Sequence, residues 1–320
     1  MTSNVIELRQ VSKHYGDFTA VDNLTLSIAS GQIFGLIGHN GAGKSTLFKM
    51  MLGLIPSSSG EILIEGERVS GARFREVRRM IGYLPENIVL YDNLNGLETL
   101  QFFARLKGAN PASCPALLDK VGLTHAGTRR VRDYSKGMRQ RLGFAQALLG
   151  NPRLLFLDEP TNGLDPEAIH HFYALVAELK AAGSTVILTS HILAEIQQRV
   201  DALALMQSGR LQATGTVAAL SSAIQLPLEI HLTAAASARP ALRAQLALAG
   251  FDDLRETPAA LIVLCPSDKK RAALAVLTQL GEAVQDIAFR EPSLEDVFLS
   301  HIRTASPLLA THQEAVCALN

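Results

Sequence analysis

The nine residues Gly38 to Thr46, GHNGAGKST, constrain the fold more than any other stretch of this chain. They satisfy the spacing GxxxxGK[ST], follow the apolar run QIFGLI and open the helical pattern STLFKMMLGL. A strand that turns through glycines into a helix makes a phosphate cradle. Gly38, Gly41 and Gly43 let the backbone wrap closely enough to aim several N–H groups at one phosphate, and the helix N-terminus adds partial positive charge. His39, Asn40, Ala42 and Thr46 complete the loop around the fixed positions. Lys44 supplies a full charge to β- and γ-phosphates, and the Ser45 hydroxyl suits Mg²⁺. These residues imply a nucleotide site.

Composition fits a globular scaffold for that loop. The chain has 320 residues, 48% hydrophobic and 19% charged, so about two domains are expected and disorder is not. Thirty basic residues balance thirty acidic ones, which leaves no bulk electrostatic reason to expect a nucleic-acid partner. Cys114, Cys265 and Cys317 lie far apart with no metal-ligand spacing, so neither a structural zinc nor a disulfide framework is expected, and a reducing compartment fits. His170 and His171 are adjacent and would point about 100° apart on a helix, so they do not converge on a metal. The N-terminus MTSNVIELRQVSKHYG lacks the apolar core of a secretory signal, and no run approaches the roughly 18 apolar residues of a membrane span.

Along the chain, residues 4 to 219 alternate short β-rich runs with helical patterns, the mark of an α/β layer fold. Strands are expected at Ile33 to Ile37, Leu154 to Leu157 and Val186 to Thr189. The region of about 87 to 150 reads as a helical insertion, with helices around Leu97 to Leu106 and Ala116 to Val121. A second, small α/β region spans 220 to 303, with strands at Leu228 to Leu232, Leu261 to Cys265 and Ala283 to Phe289 and helices at Pro240 to Ala249 and Lys269 to Leu280. Residues 304 to 320 read as a loose tail.

A second chemical signal is RLLFLDEP, Arg153 to Pro160. An apolar run ending abruptly in two carboxylates suits a buried strand whose C-terminal edge meets the ligand crevice. Asp158 would then hold Mg²⁺, directly or through water, and Glu159 would polarise the attacking water as general base or orienting group. A third stretch is YSKGM, Tyr134 to Met138, where a hydroxyl and a glycine stand at the start of a helical pattern; by itself it reads as a plain N-cap.

With these motifs in this order, residues 4 to 219 resemble the ABC transporter ATPase family, a P-loop NTPase cassette. The resemblance implies that YSKGM occupies the signature position, so that Ser135 and Gly137 serve an ATP held on the P-loop of a partner subunit. It implies an adenine-stacking role for Tyr15 in KHYG, a D-loop at Asn162 to Asp165, and a γ-phosphate contact for His191 after VILTS. In GYLPEN, Glu86 stands where the family usually has a glutamine that touches Mg²⁺. A carboxylate accepts from metal-bound water but adds negative charge and cannot donate as an amide does, so a metal contact and an ordinary loop glutamate both stay open.

The family implies ATP and Mg²⁺ as cofactors, a homodimer, an integral membrane permease subunit as partner, and a peripheral place on the cytoplasmic face of the inner membrane. One P-loop, one signature and no extended heptad run favour a membrane motor over the translation or chromosome-maintenance ATPases of the same family. Within the family, GHNGAGK, GYLPEN, FARLKGA and YSKGMRQRLG are similar to the NosF type, which serves copper-centre assembly of nitrous oxide reductase with a periplasmic accessory subunit. General ABC-2 type exporters share most of these phrases. The region ending EPSLEDVFL resembles the accessory domain of export-type members, with dimer support, regulation and simple structural filling all open.

Overall fold

The first strand, β1 (Asn4–Tyr15), turns tightly into β2 (Phe18–Ala29), and the two pair antiparallel along their length. Ile6, Leu8 and Val11 of β1 and Val21, Leu24, Leu26 and Ile28 of β2 are buried. The chain continues as β3 (Ile33–Ile37), α1 (Lys44–Met51), β4 (Ser59–Ile64), β5 (Glu67–Arg68), α2 (Phe74–Arg79) and β6 (Ile81–Leu84). Helices α3 (Gly96–Lys107), α4 (Cys114–Lys120) and α5 (Lys136–Ala147) follow, then β7 (Leu154–Leu157), α6 (Pro166–Ala181), β8 (Thr185–Ser190), α7 (Leu193–Ile196), β9 (Ala202–Gln207) and β10 (Arg210–Thr216). The computed structural model describes residues 4–223, 227–279 and 283–291, and divides into two compact units, Met1–Thr216 and Val217–Asn320.

Two sheets build the first unit. One is antiparallel, in the order β2-β1-β4-β5; the other runs β10-β9-β3-β8-β7-β6, parallel from β9 to β6 with β10 antiparallel at its edge. Strands β3, β7 and β8 are buried at every residue, which is why their sequences are continuous apolar runs rather than alternating ones. Phe48 of α1 meets Phe156 of β7 edge-on, ring centroids 5.3 Å apart, in the core between the sheets. Burying one such ring stabilises the fold by about 1.5–3 kcal/mol. The three expected strands are all present. The antiparallel sheet is not among the expected elements: β1 slips register between Leu8 and Val11, with Gln10 at φ 50°, and loses its period-two alternation, whereas β2 keeps it from Leu24 to Ile28.

The helical region between β6 and β7 begins with a reciprocal cap. The Asn95 side chain accepts from the Glu98 backbone N–H, and the Glu98 carboxylate accepts from that of Asn95. At the far end of α3, Lys107 reaches inward and donates to the carbonyl of Ile81 at 3.0 Å. Burial lowers this ammonium from 10.5 to about 8. The folded state therefore binds fewer protons than the unfolded chain between those values, and the penalty on the charged form is present below about pH 8 and lifts as pH rises toward 10.5. Stability should rise by up to about 3 kcal/mol across that window. Lys107→Met should flatten the rise, as read by urea titrations at several pH values; an unchanged slope would contradict the burial argument.

The second unit opens with α8 (Val217–Ala223) and continues as β11 (Leu228–Thr233), α9 (Arg239–Leu248), β12 (Leu254–Glu256), β13 (Leu261–Cys265), α10 (Lys270–Leu277) and β14 (Asp286–Arg290). This βαββαβ succession forms one antiparallel sheet, β12-β13-β11-β14, the split βαβ arrangement. Along β11, Leu228, Ile230 and Leu232 alternate inward with Glu229, His231 and Thr233, and the inward set packs with Leu242, Leu246 and Val263. Strand β12, absent from the expected elements, is three residues long and mostly charged, and β14 starts three residues later than expected. The tail 304–320, Cys317 and most of EPSLEDVFL lie outside the described residues.

Candidate functional site

Strands β3, β8, β7 and β6 lie side by side and parallel, so their carboxyl ends open onto one crevice. The chain leaves β3 through the glycine loop, β8 into His191, β7 into Asp158 and Glu159, and β6 toward Glu86. Four segments distant in sequence meet there because of strand order alone. Loop residues 39–46, Phe18, Glu86, Glu159, Asn162 and His191 line a cleft of about 480 Å³.

The loop needs its glycines for two different reasons. A side chain at Gly38 would place Cβ 2.4 Å from the carbonyl oxygen of Met206, and one at Gly43 would sit 2.5 Å from that of Ala20. Gly41 has open space but holds φ at +84°, and Gly43 holds +100° as the N-cap of α1. The loop is tied to the β9–β10 turn by Gly209 N–H donating to the Ala42 carbonyl at 3.0 Å. Lys44 is 6% exposed; its ammonium donates to the carbonyls of Gly38 and His39 and stands 3.7 Å from the Glu159 carboxylate.

Glu159 sits at φ +46°, a left-handed conformation that costs a non-glycine residue of order 1–3 kcal/mol and has to be held. Thr189 of β8 holds one side of it. The Thr189 hydroxyl accepts from Glu159 N–H at 2.8 Å and donates to Asp158 Oδ1 at 2.7 Å. The Glu159 carboxylate in turn meets His191 Nδ1 at 2.8 Å. Burial raises the Asp158 carboxyl above its usual range, the Thr189 hydrogen bond opposes that, and the charges of Glu86 and Glu159 add to the rise. Tyr83, pushed up to about 12 by burial and by Asp158 and Glu86, reports the same concentration of negative charge.

That charge fits a hard divalent cation. Ser45, Asp158 and Glu86 supply oxygen donors, which Mg²⁺ prefers. Among the described residues no group of three or more His, Cys, Asp or Glu side chains can hold a metal ion by itself, so a magnesium ion here would complete its shell with phosphate and water oxygens. When bound it would neutralise β- and γ-phosphate charge.

Five expected site residues do not line the cleft: Gly38 and Asp158, which adjoin lining residues in sequence, and Tyr15, Ser135 and Gly137. The ring of Tyr15 does not line it, but lies under the Lys13 ammonium, 5.0 Å from the centroid. Its cross-strand partner Phe18, 65% exposed, is the aromatic at the cleft mouth. No local signal marks Phe18, because a phenylalanine opening an apolar strand looks like packing. Ser135 and Gly137 also lie outside this cleft. Ser135 caps α5, its hydroxyl accepting from Met138 N–H at 3.2 Å, and is exposed. Gly137 lies against the D-loop, where a Cβ would come 3.2 Å from the Gly163 carbonyl oxygen.

Comparison with known proteins converges on this geometry. The ABC transporter family model matches residues 21–162. The chain is 36% identical over 307 residues to the daunorubicin resistance ATP-binding protein DrrA3 of Streptomyces coeruleorubidus, covering 93% of this chain and 96% of that one. The chain belongs to the ABC transporter ATP-binding family. It is 42% identical over 209 residues to an uncharacterized ABC transporter ATP-binding protein of Bacillus subtilis, covering 65% of this chain and 68% of that one. A solved ATP-binding subunit of an ABC transporter superposes with a TM-score of 0.64 at 34% identity, covering 68% of this chain and 92% of the other. The first unit is thus an ABC cassette and the protein an ATPase. No helix among the described residues is long and apolar enough to cross a membrane.

Proposed function

We propose that this ABC ATPase is the motor of an export-type transporter. Two copies sandwich two ATP molecules, each held by the P-loop of one chain and the signature of the other, and their opening and closing drives a separate membrane permease. The observation that carries this reading is the separation of two anion sites within one chain. Lys44 and its loop line the nucleotide cleft, while Ser135 and the start of α5 stand exposed outside it. A capped helix start with an exposed hydroxyl suits a phosphate brought by another molecule. Glu159 and His191 act on the attacking water, and Asp158, Ser45 and Glu86 hold magnesium. Ser135→Arg tests the shared site: ATP binding by the monomer should persist while dimerisation on ATP and turnover are lost. Full activity in that variant would overturn the reading.

Export as the transport class draws on similar proteins named for daunorubicin resistance, linearmycin resistance and lantibiotic transport. A second reading, copper-centre assembly of the NosF type with a periplasmic accessory subunit, draws on the four short phrases GHNGAGK, GYLPEN, FARLKGA and YSKGMRQRLG. The integral membrane protein that co-purifies with the chain separates the two. An ABC-2 type permease alone supports export, and a permease bound to a periplasmic copper-delivery subunit supports the second.

A further inference from the structure

The strained turn at Glu159 is held from two sides, and only one hold comes from the sheet. Thr189 of β8 binds the Glu159 N–H. On the other side, Gln140 of α5 donates from its side-chain Nε2 to the Pro160 carbonyl at 2.9 Å. Gln140 is 5% exposed, so the amide has exchanged water for this one acceptor. Around the bond, Phe144, Leu164 and Phe172 line a small apolar cavity, and a low local dielectric strengthens a hydrogen bond made there. The same helix leans on the D-loop at its N-terminus, where the Lys136 stem lies so close over Gly163, itself at φ +83°, that a Cβ there would meet Lys136 Cδ at 2.7 Å.

We infer that Gln140 is a positioning residue for hydrolysis: it ties the helix that begins at Ser135 to the turn that carries Glu159, so that the phosphate-facing end of α5 and the chain's own general base move together. The inference rests on the shared-site reading above and deepens it. Phosphate docking at Ser135 would fix α5, and through Gln140 would fix the Pro160 carbonyl and the orientation of the Glu159 carboxylate. Gln140 touches neither substrate nor metal; its effect runs through the backbone of residues 159 and 160.

Two variants of the full chain test it. Gln140→Leu removes the donor at nearly constant volume, and should lower kcat about tenfold, the scale of one buried hydrogen bond, while ATP affinity stays within about twofold. Gln140→Glu replaces the amide with a group that donates only when protonated. Burial among Phe144, Leu164 and Phe172 raises such a carboxyl, while Arg141 and His171, which line the same cavity, oppose the rise. Its kcat relative to the unmodified chain should therefore climb as pH falls from about 8.5 to about 5.5, and Gln140→Leu should show no such climb. Rates are taken per ATP-binding site, so that loss of folded protein does not enter. A merely structural Gln140 would give flat ratios for both variants and kcat per site near that of the unmodified chain, which overturns the inference. Should Gln140→Leu fail to fold, the pH profile of Gln140→Glu decides alone. If Glu159→Gln is inactive while the Gln140 variants match the unmodified chain, only the positioning role fails; if Glu159→Gln is active, the hydrolytic reading falls first.

Discussion

Glu159→Gln should still bind ATP, turn over roughly 10² to 10⁴ times more slowly, and accumulate as a closed, nucleotide-bound dimer. The size follows from what the substitution removes. A glutamine keeps the volume of the side chain and an oxygen that can accept from His191, now 2.8 Å from the carboxylate, and the backbone hold from Thr189 is untouched. Only the negative charge and the proton-accepting oxygen are lost. Binding of the triphosphate depends on Lys44 and the glycine loop, so it survives; activation of water depends on the charge, so it does not. ATP retained on the dimer after gel filtration, beside a single-turnover rate, would measure both halves. Turnover equal to that of the unmodified chain would remove Glu159 from its role and leave His191 without the carboxylate that orients it.

Those parts of the site that depend on one contiguous stretch are legible in the amino-acid sequence by itself. GHNGAGKST carries its own geometry: the glycines, the lysine and the hydroxyl act within nine residues, and the preceding apolar run names the strand. RLLFLDEP is similar, since a fully buried strand that stops at two carboxylates marks a crevice edge. What stays illegible depends on strand order. Lys44 and Glu159 are 3.7 Å apart because β3 and β7 flank β8, and no local pattern encodes that. The grip of Gln140 on Pro160 joins positions 20 residues apart through the packing of α5 beside the turn, and a glutamine inside a helical pattern signals only solvent. Tyr15 and Phe18 show a finer limit. Both stand at the ends of strands in one tight hairpin and face each other across it, yet only Phe18 lines the cleft, while Tyr15 lies under Lys13 two residues back on its own strand; nothing in the local pattern separates the two rings.

Lys44→Met should lower ATP affinity by about 10² or more, because a buried ammonium aimed at phosphate is replaced by an uncharged chain of similar length. A less obvious result should accompany it. Lys44 is also the cation nearest to a carboxylate, Glu159, that is only 7% exposed and shares its surroundings with Asp158 and Glu86. Removing one partner of a buried pair leaves the other charge uncompensated, which costs on the order of 3–5 kcal/mol. Lys44→Met should therefore lose stability as well as nucleotide, with a melting point down by about 6–20 °C at 2–4 °C per kcal/mol. Adding Glu159→Gln to it should raise the melting point again, since the remaining group is neutral and keeps His191 as a partner. Glu159→Gln alone should cost less, because Lys44 retains the carbonyls of Gly38 and His39. The four proteins form a double-mutant cycle whose coupling term measures the pair directly. Additive losses, with the double variant less stable than either single one, would mean that the 3.7 Å contact carries no net interaction and that water or backbone dipoles already balance Glu159.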